Sequence, residues 1–143
     1  MDKNNRAGFT LIEILVVATI IGLLAVTGVV SYTQLNINAR NARRKADVEN
    51  IRAALEMYRS YNDVYPSAAE GGLQALVSTY LKSVPTDPKS STFNDYNAKY
   101  APTTGSGAAC DNSTNPCANY SITVYLESVG AGSSMVADPY GFQ

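Results

Sequence analysis

Between positions 9 and 30 the chain carries 22 consecutive residues, of which 16 are apolar and one, Glu13, is charged. At about 1.5 Å rise per residue such a run makes a helix of roughly 33 Å, enough to cross the hydrocarbon of a bilayer. Only eight residues precede it, with Lys3 and Arg6 set against Asp2. The positive-inside bias places that end in the cytoplasm and Ser31 onward across the membrane. The chain is expected to be a small protein held by one N-terminal anchor.

The remaining composition narrows the function by exclusion. The 143 residues suit one domain. With 11 basic and 12 acidic side chains the net charge is −1, which argues against a dedicated nucleic-acid partner. There is no His, so the commonest general base and metal ligand is missing. Two Cys cannot make a four-thiolate zinc site. No GxxxxGK[ST] loop, no nucleophile motif and no interpretable carboxylate pair occurs. The chain is expected not to be an enzyme and to need no cofactor or metal.

Three readings compete for residues 9–30. A secretory signal would have a shorter apolar core and a small-residue cleavage site behind it, where this chain has only Thr27-Gly28. A plain anchor is the simplest alternative. The third is a leader cut in front of the apolar run, which then stays on the mature chain. The residues Gly8-Phe9-Thr10-Leu11-Ile12-Glu13 resemble the processing motif of type IV pilins and type II secretion pseudopilins. That resemblance implies cleavage between Gly8 and Phe9 by a prepilin peptidase, with N-methylation of Phe9. It also implies a pilin-like α+β fold, in which a long N-terminal helix lies against a small antiparallel β-sheet head.

Glu13 stands out because an ionised carboxylate in hydrocarbon costs several kcal/mol unless it is paired. Outside this context it would be a tolerated interfacial Glu. Beside the processing motif, it is expected to pair with the α-amine of Phe9 on a neighbouring copy, setting register more than adding stability. That amine has a reference pKa near 8 and is largely cationic at neutral pH.

The helix is expected to continue past the apolar run. Leu35, Ala39, Ala42, Ala46, Val48, Ile51, Leu55 and Tyr58 recur at mostly three- and four-residue spacing, with charges on the other positions. Residues 61–63 and Pro66 end it. The expected organisation is a leader over 1–8, a membrane and filament-core half-helix over 9–30, an amphipathic outer half over 31–62 and a head over 63–143. Many relatives in the pilin family have Pro where Val30 stands, so Gly28 is left to take part of that helix-loosening role. The basic cluster at residues 40–45 lacks flanking aromatics, so it reads as a solvated face or a patch facing acidic groups of a neighbouring copy rather than a DNA or lipid site.

In the head, Tyr65-Pro66, the run Gly72-Leu73-Gln74-Ala75-Leu76-Val77, Tyr80-Leu81 and Pro85-Thr86-Asp87-Pro88 resemble, in order, the head of the major pseudopilin of type II secretion. A short helix is expected to about Leu81. Strands are expected at residues 96–100, 120–127 and 134–137, with 101–119 as a surface loop. The distal calcium loop of those pseudopilins does not appear. Residues 111–115 offer oxygens, but Pro116 and the lack of a closing Glu make them a polar turn. Asn112 and Asn119 begin glycosylation sequons of little weight. Cys110 and Cys117 lie seven positions apart on the expected extracytoplasmic side, where a disulfide is favoured over metal ligation or free thiols. Type IV pilins often carry a disulfide in the distal head, which is similar to this arrangement.

The leading expectation is a structural subunit of a type IV pilus-like filament, stored in the bacterial inner membrane and polymerised through its apolar helix. Its partners would be copies of itself, the prepilin peptidase, an assembly platform and an ATPase, and its destination an extracellular pilus or a periplasmic pseudopilus. The major pseudopilin of type II secretion is the alternative, and a DNA-binding minor pilin a remote one. The Cys pair, the missing calcium loop and the Tyr-rich loop favour the pilus; the head segments quoted above favour the pseudopilin.

Overall fold

A computed structural model of the chain describes residues 8–128 and 132–143. Of the expected leader, only Gly8 falls within the described residues. The chain divides into two compact units, one ending at Asn36 and one running from Ile37 to Gln143. A long helix, α1 (Leu11–Asn62), contributes to both.

In the first unit α1 starts with a capping box. The backbone N–H and hydroxyl of Thr10 donate to Glu13 Oε2 at 2.8 and 2.7 Å, and the Glu13 N–H returns to Thr10 Oγ1 at 3.3 Å. The hydroxyls of Thr19, Thr27, Ser31 and Thr33 donate to carbonyls one turn earlier, so these polar groups are satisfied inside the helix. The apolar side chains point outward all round the helix, from Phe9, Leu11 and Ile12 to Val26 and Val29. A helix that is apolar on every side needs lipid or other protein around it.

In the second unit the buried face of α1 is Ile37, Arg44, Val48, Ile51, Ala54 and Leu55, with Asn41 and Tyr58 half-buried. The alternating four- and three-residue steps through positions 37, 41, 44, 48, 51, 55 and 58 define the true inward stripe. This corrects the expected stripe: Leu35, Ala39, Ala42 and Ala46 are exposed. The two patterns overlap only from Val48, because small Ala residues carry too little surface to decide which face is buried. The helix ends where Asp63 adopts φ 64° and its N–H donates to the Arg59 carbonyl at 2.8 Å.

Two 3₁₀ turns follow, Ala68–Glu70 and Gly72–Leu76, in place of the expected single helix. Ser67 and Glu70 form a second capping box. Gly71 at φ 96° and Gly72 at φ 59° supply the left-handed link between the turns. A Cβ on Gly72 would also crowd Asn97 Oδ1 at 3.1 Å. Residues 96–100, expected as a strand, are mostly a helical turn: α2 (Tyr96–Lys99), whose start is capped by Asp95 Oδ1 through the N–H groups of Asn97 and Ala98.

Strand β1 (Tyr100–Thr103) then runs into what was expected to be loop, followed by β2 (Asn119–Leu126), β3 (Ser133–Asp138) and β4 (Gly141–Phe142). They form an antiparallel sheet in the order β1-β2-β3-β4, with Tyr100 opposite Ile122, Ile122 opposite Ala137 and Ala137 opposite Phe142. The inward residues Tyr100, Tyr120, Ile122, Val124, Met135 and Ala137 meet Val48, Ile51 and Leu55 of α1 in one core, closed by Tyr65, Leu73, Leu76 and Tyr96. The fold is the expected α+β arrangement of helix and small sheet.

Candidate functional site

The residues implied by the processing motif sit at the free end of the first unit. Gly8 and Glu13 are exposed and Phe9 is 84 % exposed. The Gly8-Phe9 bond therefore lies exposed just ahead of the capped helix. The carboxylate of Glu13 is held by Thr10 at the positive end of α1. The T-x-x-E spacing of Thr10 and Glu13 is the sequence signal for this box. The helix is long and apolar enough to cross a membrane.

At the near end of the head unit, charge is organised inward. Arg44 is fully buried and donates from Nε and Nη2 to the two oxygens of Asp87 at 2.6 and 2.9 Å. It reaches Glu127 Oε1 at 2.6 Å and Asn41 Oδ1 at 2.8 Å. Arg40 forks onto the same Glu127 at 2.9 and 2.6 Å. Two amides finish the knot: Asn41 exchanges hydrogen bonds with the backbone of Glu127, and Asn94 with that of Tyr125, while Asn94 also donates to Asp87. α1, the Pro85-Thr86-Asp87-Pro88 turn and the end of β2 are thereby tied at one point.

Burial by itself raises the Asp87 carboxyl, but hydrogen bonds from Arg44, Asn94 and the Lys89 N–H outweigh it and hold the group at about 2. Hydrogen bonds from Arg40 and Arg44 hold Glu127 at about 2. Both acids stay ionised and fully paired, so the knot fastens the head and offers no free acid or base. This departs from the expected solvated cluster at residues 40–45: Arg40 and Arg44 turn inward, and only Arg43 and Lys45 face solvent. Nearby, Asp47 has a buried Oδ2 without a hydrogen-bond partner, and burial pushes its carboxyl upward.

Between β1 and β2, Cys110 and Cys117 are bonded, with Cys117 fully buried. The loop they close is fixed to the exit of α1 by Asn112, whose Nδ2 donates to the Tyr65 carbonyl and Glu70 Oε2 at 2.8 and 2.7 Å. Its Oδ1 accepts from the Cys117 N–H, and the Tyr65 N–H donates to the Cys117 carbonyl. The Asn112 amide is thus fully engaged. Asp111, the acid of the turn considered above for calcium, takes the N–H groups of Ser113, Thr114 and Asn115 on one oxygen and the Thr114 hydroxyl on the other. Among the described residues, no three His, Cys, Asp or Glu side chains gather as metal ligands do.

An apolar helix with a methylation-type start, carrying a small head of helix and antiparallel sheet, defines a pilin-like protein. The family described as "Prokaryotic N-terminal methylation motif" matches residues 3–29, and "Type II secretion system (T2SS), protein G" matches residues 32–105. The chain belongs to the type II secretion protein G family, the major pseudopilins. It is 38 % identical over 102 residues to type II secretion system core protein G of Pseudomonas aeruginosa, covering 62 % of this chain and 71 % of that one. The Aeromonas hydrophila protein of the same name is 33 % identical over the same shares. That of Vibrio cholerae is 34 % identical over 104 residues, 64 % of this chain and 68 % of the relative. No solved structure matches.

These relatives favour the secretion pseudopilin over the pilus subunit that was the leading expectation. The reason lies in where the signals fall. The Cys pair that pointed to a pilus lies beyond residue 105, outside the matched family segment, whereas the head segments that pointed to a pseudopilin lie inside it.

Proposed function

We propose that this chain is a structural subunit of a type II secretion pseudopilus, and that it works by assembling rather than by catalysis. In this reading a prepilin peptidase cuts between Gly8 and Phe9 and methylates Phe9. The product waits in the inner membrane with its N-terminus on the cytoplasmic side. An assembly platform driven by an ATPase draws it out, and apolar surface that lipid covered becomes buried against other copies. Glu13 leaves its bond to Thr10 for the amine of Phe9 on a neighbouring copy, which sets the stagger. The observation that carries the reading is the protein G match over residues 32–105 directly behind the methylation motif at 3–29.

Deleting the chain from its cell and measuring both secreted protein and surface motility tests the assignment. Loss of protein from the medium with motility retained is the expected result. Loss of motility with secretion intact would return the chain to the pilus class, a reading favoured by the Cys110–Cys117 loop outside the matched segment.

A further inference from the structure

We draw no further inference here: the strongest candidate, the exposed face that Ala39, Ala42, Ala46, Ala53 and Met57 make along α1 in the head unit, is a stripe of mostly small residues, and nothing in the structure shows what covers it.

Discussion

Arg44 shows how a single charged residue can belong to a core. Its guanidinium is buried, yet every nearby acid that needs it is bound to it. Replacing it with Met leaves Asp87 and Glu127 sharing fewer donors, and should cost about 3–5 kcal/mol of head stability in denaturant titrations of the chain in detergent. Asp47 has the opposite problem, a buried oxygen without a partner. Burial also penalises its charge, so the neutral Asp47→Asn should raise the melting temperature at neutral pH; a fall would contradict this.

The pH dependence follows with a definite sign. Asp87 and Glu127 sit at about 2 in the folded head, below the usual range near 4. Their contribution is complete above roughly pH 4.5 and is lost as pH falls towards 2. Asp47, raised by burial, works the other way, but it is one group against two. The melting temperature should fall steadily as pH drops across that interval, and a flat profile would contradict the knot. Arg44 was hidden in the sequence because a run of basic residues looks like a solvated surface; its place in the 37-41-44-48-51-55-58 spacing was the available clue.

Among the elements, the disulfide loop matters for where it is fastened. The Cys110–Cys117 bond and Asn112 hold the segment that leaves α1. Replacing both Cys with Ser should cost about 2–3 kcal/mol, a model-dependent figure. Amide exchange at Tyr65 and Cys117 should accelerate together, because each depends on the same loop; protection unchanged at Tyr65 would show that the loop does not hold it. The bond and the polar turn at Asp111 were legible from residue type and spacing. The start of the sheet was not. Tyr96 and Tyr100 are four apart, a spacing that fits one helical turn and an alternating strand equally well. The cap from Asp95 decides for the helix, and β1 begins only at Tyr100. The C-terminal hairpin was equally hard to foresee, since it depends on Asp138 taking the N–H groups of Tyr140 and Gly141 and on Arg52 reaching the Asp138 carbonyl.

For the whole molecule, the decisive property is that one helix serves two surroundings. The first unit buries none of its apolar run within itself, while the second has its own core. The apolar run itself was visible in the sequence, because 16 apolar residues in 22 leave no polar face. The choice between pilus and pseudopilus was not, because it depended on giving weight to motif segments over a Cys pair. Glu13→Val should insert into the membrane at normal levels yet yield few fibres by electron microscopy, and unchanged fibre yield would contradict the pairing role. Mass spectrometry of the N-terminal peptide from sheared fibres asks the central question most directly. The account predicts a chain that begins at Phe9 with one methyl group on its amine; fibre material that starts at Met1, or at any residue other than Phe9, would contradict it.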